Sequence, residues 1–184
     1  MVPTSDEHPI QVWDACAASG GKTILMFDTM SNIRMHLSDV RESILFNADK
    51  RLKEAGIRPA SVQEIDLTVP FEIKKPFDFV FADVPCSGSG TWGRTPEQLA
   101  YFTFAQLNKY TTLQAKILAN IIPTVKLGGH LLFATCSVYK VENENNVDAL
   151  LATGKFKVVK QQYFQGHTQQ ADTLFGALLE KIAE

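Results

Sequence analysis

The chain has 184 residues, 45% of them apolar and 21% charged, with a formal net charge of −2. That length suits one α/β domain with a sizeable core and is too short for two comfortable ones. The charge balance, with a pI near 6.1, gives no global electrostatic case for nucleic-acid binding, so any such substrate needs a local patch.

In chain order, short aliphatic and aromatic runs read as buried strands separated by helical patterns. Gln11–Cys16 is the first strand, followed by a small-residue loop and a helical stretch over Lys22–Met30. Ile33–Asp39 is the second strand. Arg41–Ala55 is a helix, with Ile44, Leu45, Ala48 and Leu52 at helical spacing and Gly56 as its stop. Ser61–Asp66 is a weaker third strand. Phe77–Val84 is the clearest one, an apolar run broken only by Asp78 and Asp83, and a polar loop from Cys86 to Thr95 follows. Pro96–Val125 reads helical in one or two pieces, with Leu99, Phe102, Leu107, Leu113, Ile117 and Ile121 facing the core. Gly128-Gly129 turns the chain into a strand over Leu131–Cys136, and a short helix covers Glu142–Leu151. Two last strands, about Lys155–Phe164 and Ala171–Lys181, have no helix between them and suggest a hairpin. The alternation predicts an α/β fold: one mostly parallel sheet over residues 1–184, helices on both faces, and an antiparallel strand near the C-terminus.

Cys16, Cys86 and Cys136 are far apart and form no C-x-x-C pair, which argues against a disulfide framework or a zinc site and fits a reducing cytosol. There is no long apolar run for a membrane span, and residues 1–10 lack the apolar core of a signal peptide. A cytoplasmic protein with no membrane or metal partner is expected.

Asp14-Ala15-Cys16-Ala17-Ala18-Ser19-Gly20-Gly21-Lys22-Thr23 joins the first strand to its helix. Its small residues allow close backbone approach to a ligand, and the helix start supplies free N–H groups. It is neither a Walker loop nor G-x-G-x-x-G. Asp39 ends the second strand, where a carboxylate can accept both ribose hydroxyls, and Asp66 ends the third, where it can accept from an adenine amino group. Each feature alone also reads as ordinary loop chemistry or capping. Together, at successive strand ends, they favour a nucleoside site.

Three segments then carry a resemblance: Asp14–Thr23, Asp83-Val84-Pro85-Cys86-Ser87-Gly88-Ser89-Gly90, and Ala134-Thr135-Cys136-Ser137 followed by Glu142-Asn143-Glu144. In this order they resemble the Sun (Fmu)/Nop family of RNA 5-methylcytosine methyltransferases. The resemblance implies a Rossmann-like class I methyltransferase sheet, S-adenosyl-L-methionine as cofactor, and RNA, ribosomal RNA in particular, as substrate of a monomer. It implies that Cys16, Ala17, Ala18, Ser19, Gly20, Gly21 and Lys22 line the cofactor, with Asp39 at the ribose, Asp66 at the adenine, and Asp83 between cofactor and base. Two positions depart from the family pattern. Ser19 stands where a proline is usual, which predicts a less rigid loop, and Gly93-Arg94 replaces two arginines. Family members also carry an RNA-binding region upstream of the cofactor loop, so an excised catalytic domain is expected.

The chemistry explains the residue types. Carbon 5 of cytosine is a poor nucleophile until a thiolate adds at carbon 6, which divides one hard step into easier ones. By resemblance Cys136 is that nucleophile, and Cys86 assists release. Asp83 is the group at the ring nitrogen, and the Pro85 carbonyl accepts from the exocyclic amine. Lys22 either reaches Asp83 or points to solvent; Arg94 either binds a phosphate or is an ordinary surface residue. Trp92 either stacks on a base or packs on the domain. Glu142 and Glu144 read as acids at a helix start, the four histidines as non-catalytic, and Cys16 as packing. Two rival readings remain: a DNA cytosine methyltransferase using Cys86 as nucleophile, and a non-catalytic RNA-binding module with a vestigial pocket.

Overall fold

The computed structural model describes residues 8–72 and 75–184, with the His167 side chain left aside. The elements are β1 (Ile10–Asp14), α1 (Gly21–Thr29), β2 (Ile33–Asp39), α2 (Glu42–Glu54), β3 (Ser61–Glu64), β4 (Phe77–Asp83), α3 (Glu97–Tyr101), α4 (Phe104–Ile121), β5 (Val125–Thr135), α5 (Glu144–Ala152), β6 (Phe156–Gln165) and β7 (Thr173–Lys181). The strands form a seven-stranded sheet in the order β3-β2-β1-β4-β5-β7-β6. The first five in that order pair in parallel, while β7 is antiparallel to both β5 and β6.

Side chains alternate across the central strands and feed two cores. On one face Ile10 and Val12 of β1, Met35 and Leu37 of β2, and Phe79 and Phe81 of β4 pack with Met26 of α1 and Leu52 of α2. On the other, Trp13, Val80, Ala82, Leu131 and Phe133 pack with Ile117, Leu118 and Ile121 of α4 and Val147 and Leu150 of α5. Phe77 joins this second core although its odd number would place it with Phe79. A register shift between those two residues moves it across. Asp78, the polar break in the run, sits at the shift: it accepts from Gln11 N (2.8 Å) and Lys126 Nζ (2.6 Å), tying β4 to both neighbours.

The expected order of elements stands, with corrections at several bounds. β1 ends at Asp14 rather than Cys16, and β3 at Glu64 rather than Asp66. The Gly128-Gly129 pair does not precede its strand, because β5 starts at Val125 and runs through the pair where the register slips against β4. The helical stretch after Pro96 breaks at Phe102, and Thr103 starts α4 with a capping box, its hydroxyl accepting from Gln106 N while the Gln106 side chain accepts from Thr103 N. Leu99, expected in the core, is 56% exposed because α3 makes only one and a half turns on the surface. The hairpin exists, but its second strand enters the sheet between β5 and the first.

Candidate functional site

The loop after β1 folds back over the carboxyl ends of β1 and β2. Ala17 N donates to Ser38 O (2.8 Å) and Ala15 N to Phe81 O (2.9 Å), so the loop is held to both neighbouring strands. Gly20 adopts a left-handed φ of +79° to start α1, and a Cβ there would meet Ala48 of α2 at 3.4 Å. Ser19, where a rigid proline was the alternative, is fixed by other means: Arg51 Nη1 donates to its carbonyl (2.8 Å) and its hydroxyl (2.9 Å). A side chain reaching over from α2 thus anchors the loop at the position where the family pattern has proline.

A cleft of about 180 Å³ opens here, lined by Asp14, Cys16, Ala17, Ala18, Ser19, Gly21, Lys22, Phe81 and Asp83. A larger hollow of about 460 Å³ lies at the amino ends of β4 and β5, lined by residues including Phe71, Pro76 and Thr124. No cysteine lines it, and ligands of open α/β sheets bind at the carboxyl ends of the strands, which makes the smaller cleft the candidate site.

Four aspartates sit at or near the strand ends in different states. Asp39 is 5% exposed and accepts from Ala18 N (3.0 Å), Arg41 N (3.1 Å), Arg41 Nε (2.9 Å) and Arg41 Nη2 (3.1 Å). Burial works against its charge, but these donors outweigh it and hold the carboxyl below its usual range. A ribose reaching Asp39 would displace the half-exposed Arg41 side chain. Asp66 is exposed, accepts from Thr68 N (2.8 Å) and Thr68 Oγ1 (2.7 Å), and does not line the cleft; its observed job is to hold its own turn. Asp14 forms the floor. It is 1% exposed, one carboxylate oxygen accepts from Thr23 Oγ1 (2.6 Å), and the other has no partner. Burial pushes its pKa up to about 7.

Asp83, at the end of β4, meets Lys22 from the start of α1 at 2.5 Å. Burial opposes the lysine's charge, yet Asp83 prevails and raises its pKa. Three residues beyond Asp83, Cys86 Sγ lies 3.3 Å from Cys136 Sγ, across 50 residues of chain. A hydrogen bond from the Cys86 thiol, the larger effect, lowers the Cys136 pKa against the opposing effect of burial. Cys86 itself moves up, because it keeps the proton and is buried. The pKa of Cys16 is raised by burial and then by Asp14, Asp83 and Asp39, which disfavours its thiolate. The Pro85 carbonyl already accepts from Gln114 Nε2 at 2.9 Å, leaving one lone pair for a ligand.

Glu142 corrects the reading of it as an acid at a helix start. It is 0% exposed and ends a single 3-10 turn before α5. Its carboxylate accepts from Ser87 N (2.8 Å), Ser87 Oγ (2.6 Å) and Ser137 Oγ (2.5 Å). Asn143, also fully buried, donates to Ser137 O (2.8 Å) and Tyr163 Oη (3.0 Å). These residues were not marked as functional in the sequence. The signal was Gln114, a polar residue in the middle of the apolar stripe of α4, which donates toward Glu142 and accepts from Asn146.

Gly90 joins the two cysteine loops at the backbone. Its N–H donates to Cys136 O (2.8 Å), and a Cβ would lie 2.0 Å from Thr173 O, so only glycine lets the loops and β7 meet. Trp92 packs on Phe102 and Tyr139 with centroids 5.0 and 6.2 Å away, and Phe102 stacks on Tyr139. Arg94 pairs with Asp172 at 2.9 Å, and His36 bonds Ser61 and Gln11. Among the described residues no group of three His, Cys, Asp or Glu side chains is arranged to hold a metal, and no helix is long and apolar enough to cross a membrane.

The sheet order, the small-residue loop after β1 and the acid ending β2 define a Rossmann-like class I methyltransferase fold. Many solved structures share it. PH0851 superposes with a TM-score of 0.87 at 30% identity, over 96% of this chain and 44% of that one. NSun6 from Pyrococcus horikoshii, solved with SFG, superposes with a TM-score of 0.84 at 20% identity, over 95% and 48%. The family described as 16S rRNA methyltransferase RsmB/F matches residues 1–178, and the chain belongs to that family. Ribosomal RNA small subunit methyltransferase B of Salmonella arizonae is 33% identical over 153 residues, 82% of this chain and 35% of that protein. The protein of that name from Xanthomonas campestris is 30% identical over 194 residues, 94% of this chain and 43% of its own length. The chain thus spans well under half the length of these curated relatives.

Proposed function

We propose that this chain binds S-adenosylmethionine and carries the catalytic residues for methylating carbon 5 of a cytidine in small-subunit ribosomal RNA, as a cytoplasmic monomer. The observation that carries the reading is the contact between the Cys86 and Cys136 thiols at 3.3 Å, beside a cleft lined by the small-residue loop. A lone buried cysteine is ordinary core filler, but two in contact, on loops from adjacent strands, leave room for one to attack and the other to assist.

The residues present fit the cofactor. The loop from Cys16 to Lys22 gives close backbone approach, the start of α1 offers its N–H groups, and Asp39 offers a carboxylate once Arg41 moves aside. When bound, the cofactor supplies an electrophilic methyl group. Every other task falls to the chain. Cys136, favoured as thiolate by the Cys86 S–H, adds to carbon 6 of the cytosine, and electron density builds at carbon 5. Asp83, released from Lys22, faces the ring nitrogen; the free lone pair of Pro85 O accepts from the exocyclic amine, which uracil lacks. After transfer, Cys86, its own proton passed to solvent, takes the carbon-5 proton as the ring expels the Cys136 thiolate.

The test uses a small-subunit ribosomal RNA transcript and S-adenosylmethionine labelled in the methyl group. Cys136→Ala abolishes both label transfer and the protein–RNA adduct, whereas Cys86→Ala accumulates an adduct that survives denaturing gels. An adduct that persists in Cys136→Ala and disappears in Cys86→Ala overturns the assignment and points to the DNA-type use of Cys86.

A further inference from the structure

A fully buried carboxylate is tolerable only when its charge is paired or every lone pair is satisfied. Among the described residues Glu142 has no ion-pair partner, so neutral donors alone hold it. Those donors are not scattered. Ser87, which gives Glu142 both its N–H and its hydroxyl, directly follows Cys86. Ser137, which gives the other hydroxyl, directly follows Cys136. Gln114 of α4 donates to Glu142 at 3.4 Å and to the carbonyl of Pro85, the residue before Cys86, at 2.9 Å. The Glu142 backbone is anchored too, since its carbonyl accepts from Asn146 Nδ2 at 2.8 Å.

We propose that Glu142 is a positioning residue: its buried carboxylate clasps the residues after both cysteines and so sets the distance between the Cys86 and Cys136 thiols. The clasp is selective because it uses hydrogen bonds with fixed directions rather than apolar packing, which would allow either loop to slide. Gly90 N to Cys136 O pins the same loops farther along, so Glu142 governs the approach of the thiols rather than the joining of the loops. The inference rests on the two cysteines being reaction partners, but it is tested on the thiols themselves, without RNA or cofactor.

The experiment treats the folded chain with diamide, an azo oxidant that takes up the two thiol hydrogens as a disulfide forms, and follows the disulfide by peptide mapping. In the wild type a Cys86–Cys136 disulfide forms rapidly, and the titre of the three free cysteines falls to one. Glu142→Ala slows this about tenfold or more, since ångström misplacement of reacting atoms has effects of that size. Glu142→Gln restores the rate, because its amide oxygen can take the Ser87 N–H while its amino group donates to the serine hydroxyls. The rate of Cys136 alkylation against pH shifts upward in the alanine variant and not in the glutamine one, which loss of stability alone would not produce. Should the alanine variant fail to fold, Glu142→Asp decides, as it keeps the charge but is one methylene too short for both serines. A wild-type cross-linking rate in folded Glu142→Ala or in Glu142→Asp overturns the proposal. Normal cross-linking defects with no methylation by any variant or wild type overturn the proposed function and leave the clasp standing.

Discussion

The floor of the cleft offers a test in which the sign depends on pH. Asp14 has a folded pKa of about 7, against 3.8 for the unfolded carboxyl. Between those values the folded chain holds a proton that the unfolded chain has lost, so stability falls as pH rises and levels off above 7. At about 1.4 kcal/mol per tenfold change in proton affinity, the penalty is about 1–2 kcal/mol at pH 5 and about 4 kcal/mol at pH 8. Asp14→Asn removes that dependence. The asparagine oxygen can still accept from Thr23 Oγ1, while its amino group takes the unpartnered place at a cost of about 1–3 kcal/mol at any pH. Lys22 and Asp83, which also face this position, are common to both proteins. The difference between variant and wild type therefore moves by about 2–3 kcal/mol in the variant's favour from pH 5 to pH 8. Urea unfolding followed by tryptophan fluorescence at both pH values measures it. Parallel stability curves would refute the reasoning, since they would mean that Asp14 is ionised in the folded state across the range.

Other expectations follow from the same geometry. Gly90→Ala drives a Cβ into the Thr173 carbonyl and destabilises the fold by about 2–3 kcal/mol in denaturant titration. Asp39→Ala weakens S-adenosylmethionine binding about tenfold or more in calorimetry, through loss of charged hydrogen bonds to the ribose and of the Ala18 N–H anchor. Cys86→Ala removes the thiol donor that favours the Cys136 thiolate, so the pH midpoint of Cys136 alkylation by iodoacetamide rises toward the ordinary 9.0. An unchanged midpoint would show that the lowering does not come from Cys86.

The order of strands and helices was legible because burial on one or two faces imposes periodicity, and the acidic strand ends and small-residue loop stood out against it. Phe77–Asp83 was clear for that reason, while the course of β5 through Gly128-Gly129 was not. A glycine pair reads as a turn, and only the register slip beside Asp78 shows that the chain stays in the sheet. Of the site, the thiols, Asp83 and the loop were marked by residue type and motif, and the structure brings them to one end of the sheet. Asp66 was placed by counting strand ends, and the strand stops two residues short of it. Glu142 was misjudged because its helix-start position resembles an ordinary surface acid. Its burial depends on Ser87 and Gln114, 55 and 28 residues away along the chain, as well as on nearby Ser137, and no helical or strand period links them.

The insertion of β7 between β5 and β6 bears on how the protein comes into being. Thr173–Lys181 pairs on both sides, along His130–Thr135 and along Phe156–Gln165. While the chain leaves the ribosome, β5 can pair with β4 but keeps an open edge until the last strand arrives, and β6 has nowhere to attach. The loop bearing Cys136 follows directly from that open edge, and Gly90 meets Thr173 at its other side. The nascent chain would thus hold its cofactor loop, early in sequence, well before its thiol pair could close, and the exposed edge of β5 would be its main aggregation hazard during synthesis.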